Sequence, residues 1–419
     1  MKALISKVEM NGVAAAPSSK SYTIRSLMCA SLAGGLSRIL NPLISDDTEA
    51  AADVLEQVGT DITKEESCWL VRGGRLHEPG DYLFCRDSAA TFRFMIAISS
   101  VIPGKCHLVP GSSLALRPIE PLLNALSQLG VKNQFENKTV IVNGNRLLGG
   151  TVNLPGDISS QFISALLLVA PLSDKGMTIQ LTTPPTSRPY LKMTLECMRR
   201  FEIVVEAPSD FMFFNISKQD YRPTEYFVES DWSSASYLLG VGALSGQVEV
   251  TNLNSQSFQG DRIVINLLQA MGGEVMVNEN SVKVRKVGLK AIRADLTDCI
   301  DLLPTLAMLA AVANGESCFY GINRARLKES NRVLALKEGL ARMGIPVAEE
   351  KDKLIITGGN PTGAVINSYN DHRIAMAFSI LGAAVGNTII EGAECVSKTY
   401  PHFWQTFKQL GGKVKLNVE

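Results

Sequence analysis

The stretch DRIVINLLQAMGGEVMV, residues 261–277, reads as one amphipathic helix stopped by glycine and followed by a strand. Val264, Leu267, Leu268 and Met271 fall at i, i+3, i+4 and i+7, the stripe of a helix with one buried face. Gly272 then stands where helices commonly end on a left-handed residue. The reading recurs five times, in DDTEAAADVLEQVGTDI (46–62), RPIEPLLNALSQLGVKNQF (117–135), RPYLKMTLECMRRFEIVVE (188–206), NRVLALKEGLARMGIPVAE (331–349) and YPHFWQTFKQLGGKVKL (400–416). The starts lie roughly 70 residues apart and fill the chain, which makes the fold a six-fold repeat. In five copies a Leu, Val or Met followed by Gly ends the helix; the copy at 188–206 has Arg200-Phe201 there instead.

Ahead of each of these helices lies another, beginning PSSKSYTIR at Pro17, RDSAATFRF at Arg86, GDISSQFIS at Gly156, SDWSSASYL at Ser230, TDCIDLLPT at Thr297 and YNDHRIAMA at Tyr369. These run into apolar segments such as ISALLLVAPL and AMAFSILGAAV, apolar all round as buried helices are. β-rich stretches such as GKCHLVPG, GMTIQLT and GNTIIEG follow. The unit is therefore helix–strand–helix–strand with additional strands, an α/β architecture. Ser, Asp and Thr at the helix starts are ordinary N-caps. Lys20, Arg25, Arg93 and Arg373, within the first two turns, are not. Cations there oppose the helix dipole, and several in register point to an external anion. Helix N-termini converging on one place would bind a polyanionic small molecule.

At 419 residues and 45.3 kDa the chain is expected to form two domains. Lys+Arg and Asp+Glu both number 41, a balance that argues against a nucleic-acid or membrane-surface partner. Lys7 and Glu9 interrupt the start where a signal peptide needs an apolar run, and the longest apolar stretches fall short of the ~20 residues of a membrane span. The 8 cysteines form no CxxC pair and the 4 histidines show no metal-ligand spacing, so reduced thiols, no metal and a cytoplasmic location are expected.

Several short motifs resemble those of the EPSP synthase family of enolpyruvyl transferases. PSSKSYTIR is similar to the family's Lys-Ser-x-x-x-Arg signature at Lys20, Ser21 and Arg25. LALRPIEPLL matches its Arg-Pro segment at Arg117, ISSQF its Ser-Ser-Gln at Ser159, Ser160 and Gln161, and TSRPY supplies Ser187. DLLPT supplies Asp301, LKESNR supplies Lys328, Glu329 and Arg332, NDHRIAMAF supplies Asp371, His372 and Arg373, and VSKTYP supplies Lys398. The eight elements stand in family order from Lys20 to Lys398.

The resemblance implies two similar globes, each of three βαβαββ repeats with helices inside and sheets outward (an inside-out α/β barrel). Residues 1–19 would join 229–419 in one globe and 20–228 would form the other, with the ligand cleft between them. It implies transfer of the enolpyruvyl group of phosphoenolpyruvate to the 5-hydroxyl of shikimate 3-phosphate, by addition and elimination through a tetrahedral intermediate. No cofactor is implied, and a monomer is expected. Arg332 and Arg373 would hold the phosphoenolpyruvate carboxylate, and Arg117, Gln161, Lys398 and Lys20 its phosphate. Guanidinium forks suit carboxylates, and Lys suits phosphate. Ser159, Ser160, Ser187 and Lys328 would bind the shikimate phosphate side, together with Lys20, Gln161 and Asp301, and Ser21 and Arg25 the ring carboxylate. The chemistry needs a base at the hydroxyl and an acid at C3 whose roles reverse. Asp301, with Lys20 nearby, is the expected base and Glu329 the acid, each heading a helix.

One segment departs from the family. Arg86-Asp87-Ser88-Ala89-Ala90-Thr91 stands where Gly-Asn-x-Gly-Thr is usual, so Ala89 replaces the Gly whose backbone should approach phosphoenolpyruvate. An extra methyl there implies weak inhibition by glyphosate, the family's longer occupant of that site. Three other readings stay open. One is the related transferase acting on UDP-N-acetylglucosamine, although PGSSLALRP lacks the Cys expected of its loop. The second is a binding protein without activity, and the third an RNA-end-processing enzyme of similar repeat type.

Overall fold

The computed structural model describes residues 1–417. Its contacts divide the chain into two units, one of Met1–Pro17 with the chain from Ser230 on, the other of Ser18–Glu229. Ser19 N–H donates to the Glu229 carbonyl inside the second unit, and Asp231 N–H to the Pro17 carbonyl inside the first.

Among the described residues twelve α-helices alternate between two kinds. In the Ser18–Glu229 unit they are α1 (Lys20–Leu32), α2 (Asp46–Glu56), α3 (Ala89–Ile98), α4 (Glu120–Gln128), α5 (Ser160–Val169) and α6 (Arg188–Arg200). In the other they are α7 (Trp232–Ser245), α8 (Val264–Ala270), α9 (Leu303–Ala310), α10 (Arg332–Arg342), α11 (His372–Val385) and α12 (Phe403–Gln409). The odd-numbered helices are the apolar ones. All of α7 and α9 and nearly all of α1 and α11 are buried. Their hydroxyls mostly donate to carbonyls of their own helix, as Ser31, Ser245 and Ser379 do, and Ser236 Oγ also meets Thr305 Oγ1 at 2.8 Å between α7 and α9. A buried hydroxyl left unbonded would cost about 1–3 kcal/mol. The even-numbered helices bury only one stripe, as their spacing predicted.

Six separate sheets surround the two helix cores. The second repeat shows the pattern within one continuous stretch. Leu83–Phe84 runs parallel to Gly104–Val109, which pairs antiparallel with Thr139–Gly144, itself flanked by Lys132–Glu136. That is βαβαββ. The third repeat has three strands, with only an isolated bridge from Glu206 to Asn215 where the fourth would lie. It is also the copy without the helix-ending glycine. Gly59, Gly130, Gly272, Gly344 and Gly411 all have positive φ in the other copies, and here Glu202 takes that conformation at φ 64. A side chain in the left-handed region is strained, so this turn is the least favoured of the six.

The chain's two crossings complete three of the four remaining sheets. Lys2–Ser6 lies antiparallel between Thr388–Glu391 and Lys413–Asn417 and completes the last repeat. Asn11–Ala15 pairs parallel with Gln247–Thr251 and opens the fourth, while Glu225–Phe227 pairs parallel with Gly35–Leu40 and opens the first.

Candidate active site

In the unit holding α7–α12, the predicted residues gather at helix starts. Asp371 caps α11, accepting from the Arg373 backbone N–H at 2.9 Å. Asp301 lies in a 3₁₀ turn, Ile300–Leu302, just ahead of α9. Glu329 sits three residues before α10, outside the helix it was expected to head, because Lys328 is extended there and Asn331 makes the cap.

Arg332, 1% exposed, ties these starts together. Its Nη1 donates to Asp301 Oδ1 at 2.7 Å, its Nε to Asp371 Oδ2 at 2.8 Å and its Nη2 to Glu329 Oε2 at 2.5 Å. One guanidinium thus serves three carboxylates, an arrangement its planar fork suits and a lysine could not reproduce. Lys328 Nζ stands 3.3 Å from Asp301 Oδ1 and Arg373 Nη2 3.5 Å from Asp301 Oδ2. Burial works against ionising Asp301, but Arg373, Lys328 and Arg332 outweigh it and hold its carboxyl well below the usual range. Burial pushes Lys328 down, against the pull of Asp301. The Glu329 side chain is only 12% exposed, so it is no solvated surface acid.

Asp261, on a 3₁₀ turn beside α8, was not anticipated. It is buried, accepts from Ser233 Oγ of α7, and burial together with Asp301 raises its pKa to about 7. Its sequence context, QGDRIV, carries no signal that separates it from an ordinary helix-start acid.

The Ser18–Glu229 unit gathers a different set. Lys20 opens α1, and its Nζ lies 2.8 Å from Asp47 Oδ2 at the start of α2. Arg93, from α3, donates to Gln161 Oε1 at 2.7 Å, Ser159 Oγ at 3.3 Å and the Pro118 carbonyl at 3.3 Å. Ser159 also caps α5, its side chain accepting from the Gln161 backbone N–H. Ser160 is the buried first residue of α5. Ser187 caps α6 in a left-handed conformation, φ 53. Arg117 ends the 3₁₀ turn Leu114–Leu116. In the first-described unit, Lys398 ends the turn Ala393–Lys398.

Arg25 is 1% exposed, donating to Thr194 Oγ1 at 2.8 Å and to the carbonyls of Ser21 and Tyr190 at 3.0 and 3.4 Å. Its guanidinium also stacks over Phe94 and Tyr190, 5.3 and 5.8 Å from the ring centroids. Among the described residues it forms no ion pair, and burial pulls its pKa below the ordinary guanidinium value. A buried cation held only by neutral oxygens is poised for an anion. Asp47, which holds Lys20, stood in the sequence only as one residue of the amphipathic stretch 46–62. Ala89 is the half-buried first residue of α3, with Ser88 before it.

Among the described residues no group of three or more His, Cys, Asp and Glu side chains could hold a metal ion, and no helix is long and apolar enough to cross a membrane.

The 3-phosphoshikimate 1-carboxyvinyltransferase of Dehalococcoides mccartyi is 49% identical to this chain over 420 residues, covering 100% of both. Its namesake from Methanococcus vannielii is 39% identical over 97% of this chain and 98% of its own. Among solved structures, the EPSP synthase of Acinetobacter baumannii superimposes with a TM-score of 0.83 at 24% identity, covering 99% of this chain and 100% of its own. The enolpyruvyl transferase NikO of Streptomyces tendae gives 0.81 at 16%, over 99% and 98%. These two likenesses are of fold. The family model of EPSP synthase (3-phosphoshikimate 1-carboxyvinyltransferase) matches residues 6–407, and with nearly the whole chain so matched, this protein belongs to that family.

Proposed function

We propose that this chain transfers the enolpyruvyl group of phosphoenolpyruvate to the 5-hydroxyl of shikimate 3-phosphate and releases phosphate, acting as a cytoplasmic monomer without a cofactor. The observation that carries the reading is the Arg332 hub, which keeps one ionised carboxylate, Asp301, and a second, Glu329, within a single bonded set.

Asp301 takes the proton of the 5-hydroxyl as its oxygen bonds to C2 of phosphoenolpyruvate, and Glu329 gives a proton to C3. In the second half the C2–O bond to phosphate breaks, the proton taken up by Asp301 leaves with the phosphate, and C3 returns its proton to Glu329, leaving the enol ether. Glu329 must be protonated at the outset, which its bond to Arg332 opposes. The substrate carboxylate resolves this conflict. By engaging Arg332 and Arg373 it competes with Glu329 for the guanidinium, so that binding itself favours protonation of the acid. Lys20, Arg117, Gln161 and Lys398 serve the phosphate of phosphoenolpyruvate, with the Ala89 backbone beside them. Arg25 and Ser21 serve the shikimate carboxylate, and Ser159, Ser160, Ser187 and Lys328 its phosphate.

The test is phosphate release from phosphoenolpyruvate with shikimate 3-phosphate or UDP-N-acetylglucosamine as acceptor. Turnover with the first alone is expected. Turnover with the second alone, or with neither, rejects the proposal.

A further inference from the structure

The segment that departs from the family pattern is braced on both sides. The Arg86 carbonyl accepts from Gly111 N–H at 2.5 Å, and Asp87 Oδ1 accepts from Ser113 Oγ at 2.7 Å and Leu114 N–H at 3.1 Å. Gly111 permits this approach, since a Cβ there would lie 2.5 Å from Asp87 Oδ1 and 2.9 Å from the Arg86 carbonyl carbon. Leu114 opens the 3₁₀ turn that Arg117 ends, and Arg117 N–H donates to the Leu114 carbonyl at 3.0 Å.

On the other side Ser88 Oγ donates to the Asp47 carbonyl at 3.2 Å, and the Asp47 carboxylate holds Lys20 at 2.8 Å. Arg86 adds a further tie to α2, its guanidinium lying 2.6 Å from Asp46 Oδ1 and 2.5 Å from Asp53 Oδ2. Two adjacent residues, Asp87 and Ser88, therefore connect by short bonded routes to two cations on different elements.

We propose that Asp87 is a positioning residue that fixes the spacing of Arg117 and Lys20 for the phosphate of phosphoenolpyruvate. A tether of this kind does for the loop what a glycine-rich turn does elsewhere by close backbone approach. It accounts for a carboxylate being tolerated beside an anion site, because its Oδ1 is committed to two donors. The inference rests on the function proposed above.

Steady-state kinetics on Asp87→Ala, Asp87→Asn and Ser113→Ala separate the two Michaelis constants, with hydrogen exchange at the Leu114 amide followed on the same proteins. Asp87→Ala should raise KM for phosphoenolpyruvate about tenfold, leave that for shikimate 3-phosphate within about twofold and kcat within about threefold, and speed Leu114 exchange. Asp87→Asn keeps the acceptor oxygen and should recover most of both effects. Ser113→Ala removes one neutral bond and should give a rise of about threefold, which keeps the proposal testable if Asp87→Ala does not fold. Equal rises in both constants, or an unchanged phosphoenolpyruvate KM, overturn the proposal. A wild-type protein without turnover rejects the functional reading instead, and Leu114 exchange then decides whether the tether exists: unchanged exchange in Asp87→Ala removes it.

Discussion

The two units hold their most buried arginines in opposite ways. In the unit holding α7–α12, Arg332 is surrounded by Asp301, Glu329 and Asp371. In the Ser18–Glu229 unit, Arg25 is equally buried but bonded to a hydroxyl and two carbonyls. The first arrangement balances charge within the protein. The second leaves positive charge for a ligand to balance. Buried charge is costly unless paired, so the second site is stable only at the expense of the fold around it. Repeats that share one backbone plan thus differ in the charge arrangement set by the residues at their helix starts.

Removing the proton carriers should have the largest effect. Asp301→Ala and Glu329→Gln are expected to lower kcat about 10²–10⁴-fold while moving the Michaelis constants far less. Single-turnover phosphate release measures this directly, and near wild-type kcat in either variant removes that residue from the mechanism.

The contrast between the two arginines gives the next test. Arg332→Met strands three carboxylates and should cost about 3–5 kcal/mol in urea unfolding. Arg25→Met removes a buried cation that has no carboxylate partner among the described residues, so stability should stay within about 1 kcal/mol of wild type or rise, while affinity for shikimate 3-phosphate collapses. Equal destabilisation by both would erase the distinction drawn here.

A smaller effect concerns Asp261. Its pKa is raised to about 7 in the folded chain by burial and by Asp301, against roughly 3.9 when unfolded. Between those values the unfolded chain has released the proton that the folded chain keeps, so this residue makes stability fall as pH rises through that window and level off above it. Asp261→Asn should flatten that part of the stability profile, measured as unfolding midpoints from pH 4 to 8. A profile identical to wild type would show that Asp261 titrates normally. Asp301 acts in the reverse sense. Its lowered pKa contributes stability that is present above the unfolded value and is lost as pH falls through the folded one.

The periodic signals in the sequence carried the architecture. Stripes such as Val264, Leu268 and Met271 bury as predicted because a 3.6-residue period leaves a helix only one apolar face to hide. The copy read with Arg200-Phe201 in place of the helix-ending pair proves to be the one whose turn residue is Glu202 and whose sheet has three strands, which the sequence did not foretell. Lys20, Asp301, Glu329 and Arg332 could be singled out because local motifs preserve them. Their pairings could not. Asp47 is 27 residues from Lys20, Asp371, named by its own motif, is 39 from Arg332, and Thr194 is 169 from Arg25. Nothing in a short window shows which of these side chains will meet. Sequence alone determined which stretches become buried helices and which residue types stand at their starts, because burial and capping are local demands on the chain. Only the tertiary structure decided that Arg332 meets three carboxylates and Arg25 none, because charge pairing depends on distances set by the packing of whole repeats.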